Sequence, residues 1–161
     1  MIFLAKCRCR IFVSSLALLT GLAWLESAYA ADRTPPGVSV QLQEGSPLSL
    51  KVTLISAADK PVRVSRDRLP WGTHESMVVV AALGGGRCLR RFLPIEDAPF
   101  NKIVVGPATP LSGSIDLERL FPNLRDALKE SDVQLFWAYQ APEALKIPTW
   151  SGGWILINKQ N

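Results

Sequence analysis

The chain has 161 residues, of which 48% are hydrophobic and 20% are charged, and its formal net charge is +4 at pH 7. Residues 1–30 hold three of the 18 basic and one of the 14 acidic residues, so 15 basic and 13 acidic residues remain beyond them. Because so small an excess is not the basic surface of a nucleic-acid-binding protein, we predict no nucleic-acid partner.

Residues 1–30 have the three parts of a secretory signal peptide. Lys6, Arg8 and Arg10 form a basic start, residues 11–25 are almost wholly apolar, and Ala28-Tyr29-Ala30 is a small-x-small cleavage pattern. The apolar run is shorter than the roughly 20 residues that a membrane-spanning helix needs. We predict export to the periplasm or the medium with no stable membrane anchor after cleavage; an uncleaved N-terminal anchor is the alternative.

Cleavage would also remove two of the three cysteines. Cys7 and Cys9 lie in the signal peptide, so the mature chain keeps only Cys88 and cannot form an internal disulfide. Free cysteine is among the most buried residue types, and we therefore expect Cys88 to be buried. The alternative is an exposed thiol that pairs with another molecule. Without cross-links, the stability of the domain must come from its hydrophobic core.

Short segments of strand character follow a flexible lead-in at residues 31–37. From Leu48 to Leu54 apolar and polar residues alternate, which is typical of a strand with one buried face. Residues 62–65 alternate in the same way, and we predict that they pair with this strand. Residues 77–83 are continuously apolar, which indicates a central strand. Further strands are predicted at 38 onward, 87–93, 102–105, 133–139 and 154–158, about eight in all.

One short helix is predicted near residues 118–130. Apolar residues recur there at helical spacing, at Leu117, Leu120, Phe121, Leu124 and Leu128. A proline inside a helix costs about 3 kcal/mol, so we expect the helix to begin near Pro122 after a turn at 116–121. The helix would connect two strands.

This order of elements predicts an all-β fold, a single immunoglobulin-like β-sandwich over residues 38–161. Four segments carry a resemblance to a known group of domains: Leu48–Leu54, Pro61–Val64, Val105–Pro107 ahead of Ser114–Leu117, and Phe136–Tyr139. In these segments the chain resembles the immunoglobulin-like accessory domains and prodomains of secreted deuterolysin-type metallopeptidases. The resemblance implies a non-catalytic domain, because the catalytic motif of those enzymes is missing.

Residues able to catalyse a reaction are sparse. His74 is the only histidine, and His74-Glu75 lacks the second histidine that would complete a zinc-binding pair. A catalytic triad, or a dyad with Cys88, would need the same His74, and the chain has no Gly-x-Ser-x-Gly turn. Three glycines at 84–86 lack the Lys and Ser/Thr of a phosphate loop. We predict no enzymatic activity, no metal and no cofactor, with a small hydrolase using His74 as an alternative.

Arginines and tryptophans are the candidates for binding. Arginines occur in two groups that adjacent strands would bring together: Arg63, Arg66 and Arg68, and Arg87, Arg90 and Arg91. Such a patch would hold an acidic partner or an anionic glycan; the alternative is a solvated face that protects a strand edge. We expect Trp137 and Trp154 in the core, Trp71 and Trp150 at its ends, and residues 151–153 as a flexible link. Exposed indoles would instead bind a sugar or a protein.

The sequence therefore predicts an exported, non-catalytic binding domain whose partner is a protein, with a glycan as the second class. The partner would be reached through a loop end carrying Trp71 and His74 or through an unpaired strand edge. An alternative is a peptidase inhibitor or prodomain-like regulator that inserts the segment 68–71 into a protease cleft. The candidate binding residues are Trp71, His74, Trp150, Arg66, Arg68 and Arg90.

Overall fold

The computed structural model describes residues 35–73, 76–92 and 101–160. The predicted signal peptide and His74 lie outside these described residues, as does most of the predicted lead-in. The first strand begins at Gly37, next to the predicted start at residue 38.

Eight strands and two short helices make up the regular structure of the described residues. The strands are β1 (Gly37–Gln43), β2 (Ser49–Ile55), β3 (Val62–Ser65), β4 (Met77–Leu83), β5 (Lys102–Val105), β6 (Pro110–Asp116), β7 (Val133–Gln140) and β8 (Trp150–Ile157). Between β6 and β7 lie α1 (Leu117–Leu120) and α2 (Leu124–Glu130), and single 3₁₀ turns occur at Arg66–Arg68 and Glu143–Leu145.

The strands form three antiparallel sheets, in the orders β1-β2-β6, β3-β5 and β4-β7-β8. If β1, β2 and β6 are named A, B and E, and β4, β7 and β8 are named C, F and G, the two larger sheets have the division of an immunoglobulin sandwich. The short β3-β5 pair is separate from both. The prediction of an all-β sandwich with about eight strands is confirmed.

One hydrophobic core joins the inner faces of the two three-stranded sheets. The alternation predicted for the second strand is confirmed, because Leu50, Val52 and Leu54 are fully buried. In β7 the buried residues are likewise the alternate ones, Val133, Leu135, Trp137 and Tyr139. The period of two along each strand therefore decides which side chains form the core.

Two predictions about strand pairing are wrong. The segment 62–65 pairs with β5 and not with β2. The apolar segment 77–83 is an edge strand, because β7 takes the central position between β4 and β8. Continuous hydrophobicity predicts burial on both sides, yet one side of β4 is open to solvent.

The predicted strand at 87–93 is not formed in its described part, residues 87–92. Cys88 makes a single bridge to Ala82, and hydrogen bonds on either side tie residues 87–89 to the edge of β4. The total of eight strands is reached through β6, for which the sequence predicts no strand. Its proline and glycine argue against a strand in general, but they are tolerated here because β6 is an edge strand and Pro110 is its first residue.

The predicted helix is present but divided. Asp116 caps α1, since its Oδ1 accepts hydrogen bonds from the backbone N–H groups of Glu118 (2.9 Å) and Arg119 (3.0 Å). The expected turn at 116–121 is therefore itself one turn of helix. Pro122 separates it from α2, as expected for a residue that cannot continue a helix. The five apolar residues of the predicted stripe are all buried against the core.

A polar cluster holds this helical connection to the loop between β1 and β2 and to the C-terminal segment. Glu118 Oε1 accepts hydrogen bonds from the Leu48 backbone N–H (2.6 Å) and from Arg125 Nε (2.9 Å) and Nη2 (2.6 Å). Arg125 also donates to the carbonyl of Gly45 (2.6 Å) and to Gln160 Oε1 (2.8 Å). The start of β2, both helices and the C-terminal segment are thus joined through two side chains.

We expect Glu118→Gln to destabilise the protein by about 1–2 kcal/mol at neutral pH, because charge-assisted hydrogen bonds are lost beside the buried Leu48. Hydrogen bonds from Arg125, and then from the Leu48 N–H, hold the pKa of Glu118 below its ordinary value of 4.5. This contribution to stability is therefore present above pH 4.5 and lost as the pH falls through the lowered pKa.

Urea unfolding of the two proteins, followed from neutral pH down to about pH 3, measures this difference. The two stabilities should converge at the acid end. The matched control is Glu130→Gln, at the exposed end of α2, which should change stability by less than about 0.5 kcal/mol. A difference between wild type and Glu118→Gln that does not depend on pH would contradict this role for the Glu118 carboxylate.

Candidate functional site

The outer face of the β4-β7-β8 sheet is apolar and without charge. We call this surface the Trp face. Its eleven outward positions are Val78, Val80 and Ala82 in β4, Gln134, Phe136, Ala138 and Gln140 in β7, and Trp150, Gly152, Trp154 and Leu156 in β8. Trp150 is 63% and Trp154 69% exposed, and Leu156, Val78 and Val80 are also exposed. None of these positions holds Asp, Glu, Lys or Arg.

The outer face of the other large sheet is different. Apart from Pro110 at the start of β6, its exposed or half-buried outward side chains are polar: Ser39, Gln41 and Gln43 in β1, Ser49, Lys51 and Thr53 in β2, and Ser112, Ser114 and Asp116 in β6. A polar outer face is usual for an antiparallel sheet that covers a core on one side only. The contrast shows that the apolar character belongs to one specific surface of the domain.

Pairing register gives the Trp face a ridge and a trough. Val80, Phe136 and Trp154 lie in one row across the three strands, and the rings of Phe136 and Trp154 are 5.0 Å apart with a tilt of 53°. The neighbouring row holds Val78, Ala138 and Gly152. Each row has a valine in β4, so the first row is a ridge because of its two aromatic rings, and the second is a trough because of its alanine and glycine. Trp150 lies beyond the trough.

The two edges of this sheet differ. On the open side of β4, the Leu89 N–H donates to the Ala81 carbonyl (2.8 Å), and the Leu83 N–H donates to the Arg87 carbonyl (2.9 Å). On the open side of β8 no strand pairs among the described residues, although β1 comes near. The eight residues of β8 include no charged residue and no proline, the usual protections of an edge.

Trp71 belongs to a separate feature, a cavity of about 270 Å³ between the 70–73 turn and β6. Its indole lies against Gly113 of β6, where a Cβ atom would overlap the ring. The polar lining comes from Thr73, Ser114, Asp116, Arg91 and Arg119. The volume is below the roughly 300–1,000 Å³ of ordinary small-molecule sites, so the cavity favours packing of Trp71 over ligand binding.

Tyr139 secures the turn that precedes this cavity. Its hydroxyl donates a hydrogen bond of 2.7 Å to the backbone carbonyl of Arg68. Burial raises the pKa of Tyr139 far above its ordinary value, which the nearby Arg68 only partly offsets. The phenol therefore stays neutral and remains a hydrogen-bond donor over the whole physiological range of pH.

The predicted binding residues do not form one site. Trp71 is half-buried in the cavity wall, whereas Trp150 is exposed on the Trp face. Arg66 and Arg68 are exposed on the 3₁₀ turn after β3, and Arg90 is exposed beside Arg91 in the segment after β4. His74, the remaining predicted residue, lies outside the described residues.

Four expectations about two tryptophans, a linking segment and a cysteine are wrong. The core position expected for Trp154 and the end position expected for Trp150 do not occur: both are exposed on the outer face, where their pairing with Phe136 and Gln140 places them. Trp137 is buried as expected. The link at 151–153 is not a loop but belongs to the first half of β8. Cys88 was expected to be buried and is exposed at the edge of β4.

Sequence reasoning missed Phe136, Leu156, Val78 and Val80 as surface residues. One signal was available in the sequence. Trp150, Trp154 and Leu156 are an even number of residues apart, so a strand beginning at residue 150 places all three on the same face. Among the described residues, no three His, Cys, Asp or Glu side chains gather as they would around a metal ion. No helix in the described part of the chain is long and apolar enough to cross a membrane.

No family model matches the chain, and no curated protein is similar to it in sequence. The resemblance to accessory domains of deuterolysin-type metallopeptidases therefore stays a prediction from the four segments named above. Function has to be argued from the surfaces themselves.

Proposed function

We propose that the protein is an exported, non-catalytic domain that binds a protein partner through the Trp face. The supporting observation is the uncharged, apolar outer face of β4-β7-β8, beside a second sheet whose outer face is polar. Export is supported by the signal-peptide pattern of residues 1–30 alone. The open edge of β8 borders this same surface and would offer the partner a further route.

The size of the surface fits this role. Two tryptophans about two-thirds exposed present roughly 300 Å² of apolar area, and the neighbouring aliphatic residues bring the patch to about 500 Å². Patches of about 300–600 Å² are the largest that monomers normally expose and are often functional. Covering about 500 Å² yields roughly 12 kcal/mol, against a cost of association of about 4–15 kcal/mol, so apolar burial would supply the main favourable term of a complex.

The composition of the face favours a protein over a glycan. Sugar hydroxyls need hydrogen-bond partners when they are buried, and Gln134 and Gln140 are the only polar side chains among the outward positions. Leu156, Val78 and Val80 instead offer contacts that suit apolar side chains. A glycan would also leave the aliphatic half of the face uncovered.

Local structure argues against the alternative of a peptidase inhibitor that inserts the segment 68–71. Leu69 is buried in the core, Trp71 is packed over Gly113, and the Arg68 carbonyl is bonded to Tyr139. A segment held in this way is not free to enter a protease cleft as an extended strand. The hydrolase alternative depends on His74 and gains no support from the described residues.

Photo-crosslinking in cells that express the full chain tests the proposal. We expect benzoylphenylalanine at Leu156, on the Trp face, to give a discrete crosslinked species, which Trp154→Gln in the same chain should abolish. The same probe at Gln41, on the polar outer face of β1, is the matched control and should give none. Equal crosslinking from both faces, or no species from Leu156, would overturn the proposal.

A further inference from the structure

The Trp face carries no charge, and its shape is complementary to a second copy of itself. We infer that its occupant is a second copy of this chain, packed face to face about a two-fold axis. The inference rests on the proposed function, since it names the partner of the same surface. Three observations support it: the absence of charge, the ridge beside the trough, and the area of the patch.

Charge is the first reason. In a two-fold dimer each surface meets its own equivalent, so every charged group near the axis faces a group of the same sign. A face with eleven uncharged outward positions has no such repulsion. Interfaces with a different protein commonly use opposite charges to select and orient the partner, and the Trp face offers none for that purpose.

Shape complementarity is the second reason. The ridge of Val80, Phe136 and Trp154 runs parallel to the trough of Val78, Ala138 and Gly152. A two-fold axis between the two rows places the ridge of each copy in the trough of the other. Trp154 of one copy would then cover Gly152 of its partner and Phe136 would cover Ala138, and the sheets would lie about 10 Å apart, as packed sheets do.

Area is the third reason. About 500 Å² of apolar surface per copy, together with its rim, gives a total interface of about 1,200 Å². That value is at the lower end of stable protein interfaces. The expected dimer is therefore reversible, with dissociation in roughly the micromolar range.

Face-to-face packing accounts for the Trp face better than edge pairing does. Two copies joined side by side along β8 would form one wider sheet, with the tryptophans of both copies still in contact with water. Stacking removes the same tryptophans from water. Burial of the exposed indoles therefore selects the stacked arrangement.

Sedimentation equilibrium of the protein purified after its export, from about 1 to about 200 µM, tests the inference. We expect a monomer–dimer equilibrium. Val78→Lys places a charge in the trough and Trp154→Gln removes the ridge, and each should weaken dimerisation by at least about tenfold. The matched control is Val104→Lys: Val104 is 61% exposed on β5, away from the Trp face, and its replacement should leave the equilibrium unchanged.

Circular dichroism and urea unfolding of each variant confirm that it is folded before its association is compared. A wild-type chain that remains monomeric over the whole range overturns the inference, as does a dimer that Val78→Lys and Trp154→Gln leave intact. The proposed function is judged separately by crosslinking from Leu156. A crosslinked species that contains a different protein keeps the binding function and rejects the second copy as occupant.

Discussion

Phe121→Ala is expected to lower the free energy of unfolding by about 3–5 kcal/mol. Phe121 lies between α1 and α2, is 1% exposed, and is among the largest fully buried side chains of the described residues. Its backbone N–H donates to the Leu117 carbonyl (2.8 Å), so the backbone there is not free to move into the space. Truncation would therefore leave a cavity between the helices and the sandwich.

Equilibrium unfolding in urea measures this loss, with an unchanged slope showing that the unfolded state is the same. The matched control is Phe92→Ala: Phe92 is 54% exposed, and its truncation should cost less than about 1 kcal/mol. An equal loss in the free energy of unfolding for the two substitutions would show that Phe121 and the helical connection do not contribute to the hydrophobic core.

Gly113→Val is expected to cost about 2–3 kcal/mol and to move the indole of Trp71 into water. A Cβ on Gly113 would overlap three atoms of the Trp71 ring, and the ring is packed between β6 and the 70–73 turn. The ring must therefore leave its site, and the cavity between the turn and β6 changes shape with it.

Urea unfolding measures the loss of stability, and the emission maximum of tryptophan fluorescence reports the movement of the Trp71 indole into water. Repeating the substitution in a Trp71→Ala chain isolates the cause, because the added cost should then fall to below about 1 kcal/mol. The matched control is Gly84→Val, at an exposed turn where a Cβ meets no other atom, and it should be nearly neutral. A full cost in the Trp71→Ala chain would show that Gly113 is required by the strand itself.

The sequence predicted those elements whose local pattern agrees with their final environment. Strand β2 alternates because one side faces the core, and the helical stripe from Leu117 to Leu128 is buried as a unit. Strand β6 could not be predicted from its own residues. Its glycine is explained only by Trp71, some forty residues earlier in the chain, and local patterns do not report such contacts.

The candidate site was not predictable for a related reason. Strands β4 and β8 carry apolar residues on both sides, so hydrophobic periodicity does not distinguish the inner side from the outer. Only the pairing of Phe136 with Trp154 and with Val80 shows that these three side chains point away from the core. Hydrophobicity alone assigned Trp154 to the interior, and the sheet register reversed that assignment.

The asymmetry of the β4-β7-β8 sheet limits how large an assembly of this chain can become. Residues 87–89 occupy the outer edge of β4, and Arg91 Nη2 donates to the Met77 carbonyl further along it (3.5 Å). A second chain could therefore add a strand beside β8, but the β4 edge on the far side of the same sheet is covered and would accept no further strand. Growth by strand addition would end after one step, so pairing along β8 would not lead to open-ended fibres.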